Sequence, residues 1–377
     1  MSEIKTVGVV GFGVMGAAIA LNAAGAGYNV IYKELNDELV ASMFERWVTK
    51  PLSKRVAKGK MSQADMDQLS AKISGTSLYS GLKDCDLVIE AAIEKMDLKI
   101  EVFAELSKAC RKDAILVSNT STFLIEKLMA KVENPGRTAG LHYFFPANIN
   151  RLVEVIRQKE TTDDTYQALM EFARKNRKVA ITVKDFPGFA VNPVFIASYV
   201  VLDSFYGDNL NAASLESISQ EALGLKFGIM WVQNGAGLGT CYHAGVSMAE
   251  YLRDADTGYP AMCAQLKQQF ESGQLWDLEG GPITADQNVR TEVKERLLGA
   301  IFAISTHLIE HQVVSPDDLE LGIITSLAWP KGPLALMNEL GMAESARLVK
   351  IAVAAGDFKL PKKFADNDLT PWKLKNS

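Results

Sequence analysis

Two residues in the run "GLHYFFPANINRLVEV" have types and spacing that suit proton transfer. His142 is one of only 4 histidines in the chain, and Glu154 is the lone acidic residue inside the apolar stretch "RLVEVI". A carboxylate in an apolar strand is costly to bury unless it has a partner. Histidine titrates near neutrality, and a carboxylate on one ring nitrogen fixes its tautomer and stabilises the imidazolium, leaving the other nitrogen to take a proton. The "PANIN" turn separates two strand-like runs, so His142 and Glu154 can become neighbours. Such a pair suits the oxidation of a secondary alcohol, where a hydroxyl proton must leave as hydride departs from carbon. The plainer alternative is a satisfied structural histidine.

Hydride needs an acceptor, and "VVGFGVMGAAIA" supplies a place for one. Gly11, Gly13 and Gly16 follow a strand-like run and lead into a helix-like run, with Val14 and Met15 between the last two. The first glycine allows a tight turn, the second lets backbone approach a pyrophosphate, and the third lets helix pack on strand. The free N–H groups of the helix start then face the phosphates. A second strand-like run ends at Glu34, where a carboxylate can accept from both ribose hydroxyls and repel a 2′-phosphate. The expected cofactor is therefore NAD rather than NADP, a preference that the neighbouring Lys33 softens.

The elements that must position these groups follow from periodicity. Thr6 to Val10, Val14 to Ala26 and Asn29 to Lys33 read as strand, helix, strand, the opening of a parallel sheet. The runs "CDLVIEA", "AILVSN" and "RTAGLHYFF" fit buried strands joined by helices such as Asp97 to Cys110. "VAKGKMSQADMDQLSAKI" reads as a charged helical pair, with Ser62 and Asp65 at a helix start. Near residue 186 helical periodicity takes over almost to the end. "SLESISQEALGLKFG" from Ser214 and "SPDDLELGIITSLAW" from Ser315 suggest a repeat at an offset of 101 residues. The expected domains are a nucleotide-binding unit over 1–185 and two helical units over 186–290 and 291–377.

With 377 residues, 48% hydrophobic and 23% charged, the chain has an ordinary globular composition and a length that favours more than one domain. A net charge of −5 argues against bulk binding to nucleic acid or an anionic membrane. No apolar leader or membrane-length run appears, so the expected location is cytoplasmic. Cysteines 85, 110, 241 and 263 share no metal-type spacing and read as reduced thiols. His307 and His311 stand four apart without a third ligand, so no metal is expected.

From Gly11 through "DLVIEAAIEKMDLKIEVF", "AILVSNTS", "GLHYFFPANINRLVEVI" and "DFPGFAVN", and more loosely through "AWPKGPLALMNELG", the sequence resembles the 3-hydroxyacyl-CoA dehydrogenases of fatty-acid oxidation and hydroxybutyryl-CoA metabolism. The resemblance implies a Rossmann-type α/β domain, an all-α C-terminal domain, and NAD-dependent, reversible oxidation of a 3-hydroxyacyl-CoA thioester. It assigns the catalytic histidine to His142, its carboxylate to Glu154, a substrate-orienting serine to Ser121 and an asparagine of the helical domain to Asn192. It implies nicotinamide-side roles for Glu94, Lys99 and Asn119. Read by themselves, Ser121 and Asn192 are equally helix caps, Asn119 a turn residue, and Glu94 with Lys99 a solvated pair. The family usually has Asn where this chain has Phe145, and Arg where it has Pro193, which bears on the acyl group accepted. CoA carries phosphates, for which Lys54, Arg55, Lys58 and Lys60 in "SKRVAKGK" are the candidates, or else a solvated face. Single-copy members commonly pair their helical units between subunits, so a chain with two copies is expected to be a monomer rather than a homodimer. Two other readings remain open: a dehydrogenase of free hydroxy acids or sugar acids, and a non-catalytic NAD-binding protein.

Overall fold

Short runs that are apolar on every position can only be satisfied inside a sheet covered on both faces, and this is how the first half folds. The computed structural model describes residues 3–207, 210–253 and 255–375. It divides into two units, 1–185 and 186–377. In the first, strands β1 (Thr6–Val10), β2 (Asn29–Lys33), β3 (Ile73–Thr76), β4 (Leu87–Glu90), β5 (Ile115–Ser118), β6 (Thr138–Tyr143), β7 (Leu152–Arg157) and β8 (Val179–Lys184) form one sheet. Its order is β3-β2-β1-β4-β5-β6-β7-β8. The strands from β3 to β6 run parallel, β7 is antiparallel to β6, and β8 is parallel to β7. The order reverses at β1, which has β2 on one side and β4 on the other, and the crevice above such a switch point is where open α/β sheets bind ligands.

The connecting helices are α1 (Val14–Gly25), α2 (Asp37–Phe44), α3 (Lys50–Ala57), α4 (Gln63–Ser70), α5 (Met96–Ala109), α6 (Ile125–Leu128) and α7 (Asp163–Lys175). Ala17, Ala20, Ala23 and Ala24 of α1 lie in the core beside Val7, Val9, Val30, Leu169 and Phe172, so the alanine-rich face lets the helix seat closely on the strands. The "VAKGK" segment closes α3, the first helix of the charged pair, and Gly59 makes the turn at φ 65°. Ser62 and Asp65 form a reciprocal capping box at the start of α4. Periodicity does not mark strands β3 and β8. β3 lies at the sheet edge with only Ile73 buried, and the first two residues of β8 are half-buried.

The second unit is helical: α8 (Val191–Asp203), α9 (Ala212–Leu223), α10 (Ile229–Ala236), α11 (Leu238–Arg253), α12 (Ala264–Ser272), α13 (Gln287–Glu310), α14 (Pro316–Leu327), α15 (Pro333–Leu340), α16 (Met342–Ala354) and α17 (Lys362–Ala365). An internal repeat is present in the geometry, but its offset is 104 residues, not 101. The N-cap of α9 is Asn211 and that of α14 is Ser315, each accepting from a backbone N–H of its first turn. Gly224 and Ala328 end these helices in the left-handed region, at φ 66° and 54°. Glu216 then accepts from the N–H groups of Gly228 and Trp231 at the start of α10, as Glu320 accepts from Leu334 at the start of α15. Gly237 and Gly341 follow at φ 91° and 90°. Matching Ser214 with Ser315 aligned two serines of different jobs, which is why the sequence offset was three residues short.

Asp203, at the end of α8, is fully buried, and its Oδ2 accepts from the Gln233 side-chain amide at 2.8 Å. Burial drives its carboxyl well above the ordinary aspartate range. A raised carboxyl pKa contributes stability that is present at low pH and lost as pH rises from the unfolded value through the folded one. Asp203→Asn should therefore melt at a higher temperature than the parent at pH 8, with a gap that narrows toward pH 5. Calorimetry across that range checks this, and a gap independent of pH would refute it.

Candidate active site

His142 and Glu154 are directly opposed across the antiparallel β6–β7 pair. His142 Nδ1 lies 2.6 Å from Glu154 Oε2, and both side chains are buried. With Nδ1–H donated to the carboxylate, Nε2 is the basic nitrogen of the ring, an arrangement suited to proton transfer. The Phe144 ring lies beside the imidazole, with centroids 4.5 Å apart. Past Phe144 the chain turns through Phe145, which is 57% exposed, to Asn150. Lys178, ahead of β8, donates to the carbonyls of Ala147 and Asn150 at 2.5 and 2.8 Å and so ties the two arms of the turn together. Burial pulls its ammonium down to about 8.

The glycine loop is built as its motif requires. Gly11 has φ 87°, and a Cβ there would come within 2.8 Å of the Ala91 carbonyl oxygen. At Gly16 a Cβ would fall 1.9 Å from the carbonyl oxygen of Gly11. Around Gly13 nothing lies within 4 Å of a Cβ, so the α1 N-terminus opens outward there, with Val14 exposed and Met15 half-buried. Glu34 accepts from the Phe12 N–H at 2.6 Å through one oxygen and from its neighbour Leu35 at 3.2 Å through the other. Its carboxylate thus sits at the glycine loop, where a ribose diol would be read. Lys33 points elsewhere: it is buried with its ammonium 4.3 Å from the Tyr79 ring centroid. Its softening of the cofactor preference therefore has no support in the structure. These residues fit a dinucleotide, and the open approach at Gly13 is the space its pyrophosphate needs.

Between the glycine loop and His142 lies a charged cluster. Lys99 is buried, with Nζ 2.6 Å from Glu90 Oε1 and 3.2 Å from Glu94 Oε2. Glu90 also accepts from Ser118 Oγ and from the Ala92 N–H, at 2.6 and 2.7 Å. Glu94 accepts from Thr120 Oγ1 at 2.5 Å and from the Ser121 N–H at 2.9 Å. Glu94 and Lys99 are thus not a solvated pair. Lys99 acts through its carboxylates, and only Glu94, 39% exposed, opens outward. Sequence reading missed Glu90, although a lone carboxylate in the apolar run "DLVIEA" carried the signal that marked Glu154.

Ser121 does not cap a helix. Helix α6 begins after Leu124, and its first N–H groups, of Ile125 and Glu126, bond the Asp185 carboxylate, which burial raises to about 6. Asn119 Oδ1 accepts from the Tyr143 N–H at 2.8 Å, linking the end of β5 to the residue after His142, so it is more than a turn residue. Asn192 lies within the first turn of α8, behind an N-cap at Ala190 and next to Pro193, and so is not that helix's cap. Of the basic residues, Lys54, Lys58 and Lys60 are exposed. Arg55 lines a cavity of about 450 Å³ with Gly25, Ala26, Lys175 and Arg177. This cavity borders the C-terminal end of α1, whereas the glycine loop is at its N-terminal end, so Arg55 lies apart from the loop. Among the described residues no group of three His, Cys, Asp or Glu side chains is arranged to hold a metal, and no helix is long and apolar enough to cross a membrane.

Residues 6–186 match the family model for the NAD binding domain of 3-hydroxyacyl-CoA dehydrogenase. The (S)-3-hydroxybutyryl-CoA dehydrogenase of Ralstonia eutropha is 30% identical, with a TM-score of 0.64 over 72% of this chain and 95% of that one. The chain belongs to the 3-hydroxyacyl-CoA dehydrogenase family. The fold of a 3-hydroxybutyryl-CoA dehydrogenase from Escherichia coli matches over 99% of this chain and 97% of that one, with a TM-score of 0.83 at 19% identity. That match covers the doubled helical unit as well as the sheet. A fatty acid oxidation complex subunit alpha from Idiomarina loihiensis is 28% identical over 369 residues, covering 90% of this chain and 51% of that protein. The chain spans about half the length of that curated relative. Within the family frame, the glycine loop, Glu34 and the Glu90–Lys99–Glu94 cluster belong to the NAD-binding unit.

Proposed function

We propose that the protein oxidises a 3-hydroxyacyl-CoA thioester to the 3-oxoacyl-CoA, reversibly, in the cytoplasm. The observation that carries this reading is the buried His142–Glu154 pair on the sheet that also bears the glycine loop. NAD, when bound, supplies the hydride acceptor. His142 Nε2 takes the hydroxyl proton while Glu154 holds Nδ1–H and balances the imidazolium charge. Ser121, whose backbone N–H is held by Glu94, orients the substrate oxygen. Asn119 keeps the His142 strand in place. Phe145 contributes apolar surface to the acyl site, and Lys54, Arg55 and Lys58 supply positive charge for the phosphates of CoA.

The test is a panel of 3-hydroxyacyl-CoA thioesters of increasing chain length and the matching free 3-hydroxy acids, each with NAD and NADP. Turnover of thioesters with NAD is expected; equal turnover of the free acids would overturn the CoA assignment. Glu34→Ala should weaken NAD binding about tenfold and narrow the NAD/NADP preference, because the carboxylate that receives the ribose hydroxyls and repels a 2′-phosphate is gone. A parent enzyme that prefers NADP would refute the role of Glu34.

The repeated helical unit supports a monomer, since two copies can bury within one chain the surface that single-copy relatives bury between two. Sedimentation equilibrium should show one mass over a wide concentration range, and a tight dimer would refute it.

A further inference from the structure

We infer that the buried cluster of Glu90, Lys99 and Glu94 makes the site bind the oxidised nicotinamide cofactor in preference to the reduced one. This deepens the dinucleotide reading above and rests on it. The sheet order β1-β4-β5-β6 places the glycine loop after β1 and His142 on β6. A dinucleotide whose pyrophosphate lies on that loop and whose ring gives or takes hydride beside His142 must therefore pass over the ends of β4 and β5. The cluster is built there. Glu90 ends β4, Ser118 ends β5, and Ala91 and Ala92 touch the glycine loop so closely that a Cβ on Gly11 would come within 2.9 Å of the Ala92 nitrogen.

Two carboxylates share one ammonium, so the cluster carries a formal charge of −1. Glu90 is fully buried and Lys99 is 1% exposed, and no further cation is within ion-pair distance of either among the described residues. Hydroxyl and N–H groups from Ser118, Ala92, Thr120 and Ser121 fix both carboxylates in place without neutralising them. The oxidised nicotinamide ring bears a positive charge that disappears when hydride adds to it. A fixed negative charge beside the ring therefore favours the oxidised form, while the phosphates, ribose and adenine contribute equally to both. In a medium of effective dielectric about 20, a unit charge at a separation on the order of 10 Å is worth roughly tenfold in affinity.

The test is the ratio of dissociation constants for NAD and NADH, measured by calorimetry and by NADH fluorescence without substrate. In Glu90→Gln the carbonyl oxygen still accepts from Lys99, and the cluster becomes neutral. The ratio should move about tenfold toward NADH, chiefly through loss of NAD affinity. Glu94→Gln removes the same charge from the outer side of the cluster and should shift the ratio in the same direction; it decides the matter if Glu90→Gln does not fold. Ser118→Ala removes a hydrogen bond to Glu90 but no charge, and should leave the ratio unchanged. Equal weakening of both cofactors in the glutamine variants, or an unchanged ratio, would overturn the proposal and leave the dinucleotide reading standing. A parent protein that binds neither cofactor would overturn both.

Discussion

His142→Gln should lower kcat by about two to four orders of magnitude while NAD still binds with its parent affinity, the range lost when a general base is removed. The side chain replaced is the proposed proton acceptor, held with Nδ1 2.6 Å from Glu154 so that Nε2 is the basic nitrogen of the ring. Glutamine matches the bulk of the ring and its amide can donate to Glu154, so the buried carboxylate keeps a partner and the fold is spared the cost of an orphaned charge. Glu154→Gln should reduce kcat less, because the imidazole remains but its conjugate acid has lost its counter-charge. Steady-state turnover with the best thioester substrate, alongside calorimetric NAD binding, separates the two effects. Near-parent turnover in His142→Gln would remove His142 from the chemistry.

Gly16→Ala should cost both cofactor affinity and thermal stability, whereas Gly13→Ala should cost affinity alone. The physical reason is where each added methyl group goes. At Gly16 it falls 1.9 Å from the carbonyl oxygen of Gly11, so either the turn after β1 or the first turn of α1 must move, with or without cofactor. At Gly13 it meets nothing within 4 Å, and φ is −72°, open to any residue, so the apo fold has no reason to respond. The methyl instead occupies the approach of a pyrophosphate to the backbone. The expected result is at least about a tenfold loss of NAD affinity in both variants, with a fall of several degrees in Tm for Gly16→Ala only. Parent-like NAD binding by Gly13→Ala would show that the phosphates do not lie over that turn.

The sequence by itself determined the elements whose rule is local. A strand followed by Gly11, Gly13 and Gly16 and then an alanine-rich helix is a pattern that backbone sterics impose on neighbouring residues, and the structure forms it as read. A single carboxylate inside "RLVEVI" called for a partner, and His142, across a short turn, could become its neighbour; the antiparallel pairing of β6 with β7 makes it so. The same argument was available for Glu90 in "DLVIEA", but its partner Lys99 lies on a helix, where no period announces it. Other features depended on which elements become neighbours. Ser121 lies in a run that reads as a helix start, yet α6 begins four residues later, capped by Asp185 from beyond β8. Arg55 sits among basic residues in sequence, and in the fold it lines a cavity with Lys175 and Arg177 at the C-terminal end of α1, a grouping that no local pattern announces. The repeat shows in the sequence as similar helices, while its offset is fixed by Glu216 and Glu320, which bond the starts of α10 and α15. Periodicity tells a residue which way to face; what it meets there is set by strand order, register and helix packing, which join residues far apart in the chain through contacts that leave no local trace.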